Sequence, residues 1–304
     1  MKKLGFSVAA LALAISAGSA LAADLPSRKA PPVAPPPAPL WKGFYAGLNA
    51  GGTWGNNNSI NVTTYPVGSV ASSSPAYWAL GNGTIGSRAN NLVGFIGGGQ
   101  IGYNWQPTFA GYSFVTGAEA DIQGIAGTGN GSRNGYWLTA APNGDTISNY
   151  SKSSGSLQYL GTVRGRLGWL ATPTLLIYGT GGLAYGGVSL NRSVSSYDSN
   201  AAGASQWVAV GNTAYSNTQV GWAAGGGLEW MFMPNWSAKA EYLYYNLGNI
   251  SATSVSTLIP TGNTTVGNQL YRSSTYSGTI TGNLVRAGVN YHFNWGSSPV
   301  VAKY

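Results

Sequence analysis

Apolar and polar residues alternate through most of this chain. From Val285 to Phe293, the residues Val285, Ala287, Val289, Tyr291 and Phe293 are apolar or aromatic, while Arg286, Gly288, Asn290 and His292 stand between them. Successive side chains of a strand point to opposite faces, so the run predicts a strand with one apolar and one polar face. The same period of two recurs upstream. A first strand places Phe44, Ala46, Leu48, Ala50 and Trp54 against Tyr45, Gly47, Asn49 and Thr53, and a second groups Val93, Phe95, Ile101, Tyr103 and Trp105. A third sets Phe114, Ala118, Ala120 and Ile122 against Glu119, Asp121 and Gln123. The fourth sets Leu157, Tyr159, Val163, Leu167 and Trp169 against Gln158, Thr162, Arg164 and Arg166. A fifth, about 175–190, is apolar or Gly on both faces, which leaves its phase open. The sixth turns Val220, Trp222, Ala224, Leu228, Trp230 and Phe232 one way and Gln219 and Glu229 the other. The seventh divides Trp236, Ala238, Ala240, Tyr242 and Tyr244 from Lys239 and Glu241.

A soluble sandwich would alternate in the same way, so the connections have to decide the environment. Short turns around Gln106-Pro107-Thr108, Thr172-Pro173-Thr174 and Met233-Pro234-Asn235 follow strands two, four and six. Long stretches rich in Asn, Ser, Thr and Gly follow strands one, three, five and seven, at about 55–90, 128–156, 192–217 and 251–280. Strict exchange of long and short connections predicts an all-β, eight-stranded antiparallel up-and-down transmembrane β-barrel, with short periplasmic turns and long external loops. A Greek-key sandwich gives no reason for every second connection to be long.

Aromatic residues collect at the strand ends. Phe44, Trp105, Phe114, Trp169, Trp230, Phe232, Trp236, Tyr291 and Phe293 lie near the short turns, and Trp54, Trp222, Tyr242 and Tyr244 near the long connections. Two such belts are expected where a barrel meets the two membrane interfaces. Glu119, Asp121, Glu229 and Glu241 fall on the opposite, inward face, as do Arg164, Arg166, Lys239 and Arg286. Four acids facing four bases predict a lumen plugged by ion pairs, because an eight-stranded barrel is just wide enough for side chains to fill.

The ends differ from the middle. Lys2 and Lys3, an apolar stretch from Leu4 to Ile15 and Ala20-Leu21-Ala22 predict a secretory signal peptide over 1–22. Its removal takes Lys2 and Lys3 with it, lowering the formal net charge from +8 to +6. Residues 23–40 hold seven prolines, which favour extended polyproline II geometry and cannot join a sheet. This segment reads either as a periplasmic spacer reaching the cell wall, helped by Arg28 and Lys29, or as a disordered leader. The barrel is expected over 41–293 and a periplasmic tail over 294–304.

Composition narrows the function. Only 7% of residues are charged, against about 25% in a typical globular domain. With no cysteine, a disulfide framework, a thiolate metal site and a lipoprotein anchor are all excluded. The basic residues are scattered, so a pI near 9.6 does not indicate nucleic acid. Gly97 to Gly102 fits G-x-G-x-x-G but lies inside a strand with no helix after it, which is the wrong context for dinucleotide binding. A hydrolase would need a histidine beside a serine near the outer leaflet, and the single histidine, His292, lies at the other end.

The run Arg286-Ala287-Gly288-Val289-Asn290-Tyr291-His292-Phe293 resembles the assembly signal that ends bacterial outer-membrane barrels, carried here by Arg286, Gly288, Tyr291 and Phe293. It departs from that signal in having eleven residues after Phe293. Together with the Pro-rich leader and the opening W-K-G-F-Y-A-G-L-N-A-G-G at 41–52, it makes the chain similar to the small outer-membrane barrels of alphaproteobacteria, relatives of the barrel of outer membrane protein A and of opacity-type surface antigens. The resemblance implies a Gram-negative outer-membrane protein that meets lipid, lipopolysaccharide and the barrel assembly machinery, without a cofactor. A role in envelope integrity and surface contact is the leading expectation; the alternatives are a narrow porin channel and a haem or ligand receptor.

Overall fold

The computed structural model describes residues 40–56, 58–66, 88–90, 93–127, 133–140, 146–199, 205–260 and 269–293. The expectations for the signal peptide, for the leader up to residue 39 and for the 294–304 tail lie outside these residues. Twelve strands are described: β1 (Gly43–Gly55), β2 (Asn58–Pro66), β3 (Arg88–Asn90), β4 (Val93–Trp105), β5 (Thr108–Phe109), β6 (Tyr112–Ala126), β7 (Arg133–Ala140), β8 (Thr146–Thr172), β9 (Leu175–Ser199), β10 (Ser205–Met233), β11 (Trp236–Pro260) and β12 (Gln269–Phe293). Eight of them form a ring in the order β1-β4-β6-β8-β9-β10-β11-β12, and β12 returns to pair with β1. Every pairing is antiparallel, and the seam runs from Phe44 opposite Phe293 to Gly55 opposite Gly282. Closure leaves no sheet edge inside a bilayer, where unpaired backbone groups would cost several kcal/mol each.

The barrel is inverted relative to a soluble protein. Leu48 is 74% exposed, whereas Arg164 is 2% exposed. The faces read from the alternation hold in β1, β4, β6, β10, β11 and β12. In β9 the open phase is fixed: Leu176, Tyr178, Ala184, Val188 and Leu190 are buried inward, while Ile177 and Leu183 are exposed. In β8 the expected faces fail above Leu160. Leu157 and Leu160 face Val188 and Gly186, so β8 carries one residue more than β9 between these pairs. A bulge of this kind shifts the pleat by one. As a result Leu157 is fully buried and Gln158 exposed, the reverse of the sequence reading.

The two sets of outward aromatics bound a band of exposed apolar side chains such as Leu48 and Ile101. Ten residues separate Phe44 from Trp54. That distance is about 33 Å along a strand, or about 25 Å of height at a tilt of about 40°. β8 to β12 are far longer, at 25 to 29 residues. Beyond Trp222 the β9–β10 ladder continues from Ala184 opposite Gly221 to Ser199 opposite Ser205. Much of what composition marked as loop at 128–156, 192–217 and 251–280 is therefore paired strand. β2 likewise continues the seam, with Ile60 to Pro66 opposite Gly278 to Arg272. The first short turn also differs, because β5 forms a small hairpin with the start of β6, closed at Ala110 and Gly111 with positive φ.

Candidate functional site

The strand register itself assembles the charged residues. Glu119 lies directly opposite Arg164 between β6 and β8. Glu229 lies opposite Lys239 between β10 and β11, and Glu241 opposite Arg286 between β11 and β12. All point into a lumen that eight strands hold narrow, so side chains from opposite walls meet.

Arg164 sits at the centre. Its Nη2 donates to Glu119 Oε1 at 2.6 Å and to Asp121 Oδ2 at 2.9 Å, and its Nη1 donates to Glu241 Oε1 at 3.0 Å. Arg286 reaches Asp121 at 2.9 Å and Glu241 at 2.5 Å. Lys239 Nζ donates to both oxygens of Glu119 at 3.0 Å, and Arg166 Nη2 pairs with Glu229 at 2.5 Å. The eight residues expected inward thus lie in one connected set, each nearly or wholly buried. Charges of this kind are tolerated away from water only when paired and hydrogen-bonded.

Neutral residues that the charge pattern did not single out complete the set. Tyr45 donates to Glu119 at 2.7 Å and accepts from Arg166 at 3.0 Å. It can cross to β6 because the intervening position on β4 is Gly102, where a Cβ would fall 2.4 Å from the Tyr45 hydroxyl. Tyr178 donates to Glu241 at 3.1 Å, with Arg166 stacked 4.3 Å from its ring centroid. Thr162 and Gln123 donate to Asp121, at 2.7 Å and 3.0 Å. Asn290 donates to Glu229 at 2.7 Å and accepts from Gln100.

Two apolar layers enclose this polar one. Along β11, Ser237, Lys239 and Glu241 are followed inward by Leu243, Tyr245, Leu247 and Ile250; along β12, Arg286 is followed by Leu284 and Ile280. With Ile96, Leu160, Ala184 and Ala223 these form one buried cluster on the side of the long strands. On the side of the short turns, Trp41, Val115, Leu176, Tyr178 and Met231 form a second. Counting inward apolar positions, such as Leu243 and Leu284, would have revealed the first from sequence.

The belt residues Trp54, Trp105, Trp169, Trp222, Trp230 and Trp236 all face outward, between 41% and 55% exposed. Of the residues that resemble the assembly signal, Arg286 belongs to the polar layer and Gly288 lies across the seam from Asn49. Tyr291 and Phe293 form an edge-on aromatic pair on the outside, 5.1 Å apart. His292 does have a serine neighbour, since Ser237 Oγ lies 2.9 Å from Nε2, and Ser237 also donates to Glu229 at 2.6 Å. Activation of a serine requires the carboxylate on the other ring nitrogen. Here Glu229 lies 3.5 Å from the same Nε2, and Ser237 and His292 are both buried.

A closed ring of eight strands, apolar outside and ion-paired within, defines an integral membrane β-barrel. Residues 8–293 match the outer membrane protein beta-barrel domain, and the chain belongs to that family. It is 32% identical over 285 residues to the 31 kDa outer-membrane immunogenic protein of Brucella melitensis, covering 92% of this chain and 96% of that protein. It is 30% identical over 214 residues to the 22 kDa outer membrane protein of Rhizobium leguminosarum bv. viciae, covering 68% of this chain and 65% of that one. Among solved structures, the outer membrane protein OprG from Pseudomonas aeruginosa aligns over 83% of this chain and 97% of its own, with 10% sequence identity and a TM-score of 0.35.

Proposed function

We propose that this chain is a closed, non-conducting outer-membrane barrel that contributes to envelope integrity and carries an extended β-surface outside the cell. The reading rests on one observation: the ion-paired layer lies between two apolar layers. An ion entering the lumen would have to cross both apolar layers and compete for partners already engaged. In this reading both termini are periplasmic, and the long ends of β8 to β12 are extracellular. Lipid and lipopolysaccharide meet the aromatic belts, the assembly machinery reads the last strand, and the Pro-rich leader reaches toward the cell wall. Purified protein in planar bilayers tests it, with small or no single-channel currents expected, and no sugar uptake in liposome swelling. Large steady conductance from a verified monomer overturns the reading; conductance from an oligomer alone moves the path to the space between barrels.

A further inference from the structure

Trp41 is fully buried although its neighbours Leu40 and Lys42 are exposed. It precedes β1, whose own ladders reach only β4 and β12. Trp41 reaches much further. Its backbone N–H donates to Gln106 Oε1 at 3.1 Å, in the turn after β4. Its indole N–H donates to the Pro173 carbonyl at 3.0 Å, in the turn between β8 and β9. The ring meets His292 of β12 edge-on at 5.7 Å and packs with Val115 of β6, Leu176 of β9 and Met231 of β10.

The chain is bent to make this possible. Gly43 has φ +131°, a conformation open to glycine, and a Cβ there would lie 2.9 Å from the Phe293 carbonyl oxygen. The Trp-Lys-Gly at the head of the 41–52 motif is therefore a turn that carries an indole into the barrel mouth. The Pro-rich residues 23–40 precede it directly, and such a composition favours a semi-rigid spacer.

We propose that Trp41 and Gly43 form a mechanical anchor that couples the leader to several walls of the barrel at once. Tension on the leader has to draw a buried indole out of the floor and break its bonds to Gln106 and Pro173 before it reaches the β1 seam. The proposal deepens the envelope role and rests on that reading for its purpose, though not for its test.

Single-molecule pulling on the full mature chain in a bilayer decides the matter. The chain has no cysteine, so one cysteine added at either terminus gives a unique handle. Pulling from the N-terminus should give a rupture peak before the first strand leaves, lost in Trp41→Ala and weakened in Trp41→Phe, which keeps a ring but not the indole N–H. Gly43→Ala should also weaken it, and C-terminal traces should differ from the parent only in the first peak, where β12 leaves with the His292 and Phe293 neighbours of this turn. An early peak missing from the parent, or unchanged in Trp41→Ala, overturns the anchor. So does failure of all three variants to fold, which would make the turn a folding element. No cell wall is present, so failure of the leader to sediment with peptidoglycan would count against the envelope reading alone.

Discussion

Arg164 on β8 and Glu241 on β11 meet at 3.0 Å across the lumen, with two strands of the wall between them. Arg164 also holds Glu119 and Asp121, so a single guanidinium serves three carboxylates from two sides of the barrel. Arg164→Ala would leave four buried acids facing three bases. Breaking a buried pair typically costs about 3–5 kcal/mol, and we expect a stability loss of that size, read as a lowered urea midpoint at unchanged slope for refolded barrel in detergent. Adding Glu241→Gln should recover part of it. An unchanged midpoint for Arg164→Ala would mean that water reaches these groups.

The polar layer was legible in sequence because period-two alternation survives wherever the outer face meets lipid and the inner face is polar. The alternation left one strand open and failed in two further places, each for a physical reason. In β9 the inner face passes through the apolar layer, so Ala184, Val188 and Leu190 look like the lipid side. At Leu157 to Leu160 one extra residue reverses the pleat, which spacing alone does not announce. Beyond Trp222 the long strands carry Ser, Thr and Asn on both faces, so 192–217 reads as loop although Ser193 and Thr213 stand in a ladder. The role of Trp41 was hidden because its partners Gln106 and Pro173 are distant in sequence and lie in turns.

The apolar layer has its own test. Leu284 is fully buried one inward position from Arg286. Leu284→Ala removes packing with no partner to fill the space, and such core truncations cost about 2–5 kcal/mol. The same detergent titration should show it. Neither Leu284→Ala nor Arg164→Ala should conduct alone, because each leaves the other layer in place. Steady current from Leu284→Ala alone would show that the apolar layer is the whole barrier.

Paired strand resists proteases better than open chain. Protease added to intact cells should therefore cut outside the β9–β10 ladder, leaving Leu175–Leu190 whole, and should spare Pro107 and Pro173. External cleavage at either proline would reverse the assigned orientation.

Phe293 separates assembly from stability. It lies opposite Phe44 at the seam and packs on Tyr291, which in turn packs on Trp236 at 5.1 Å. The ring faces outward, so Phe293→Ala makes no cavity in the lumen. An aromatic pair of this kind is worth about 0.5–1.5 kcal/mol, well below the cost expected for Arg164→Ala. If the last strand is read by the assembly machinery, Phe293→Ala should lower the amount of barrel in outer-membrane fractions several-fold. The refolded variant should keep a urea midpoint near the parent's and stay non-conducting. Parental membrane levels in Phe293→Ala would remove Phe293 from the assembly signal, and a midpoint lowered as far as in Arg164→Ala would make it structural instead.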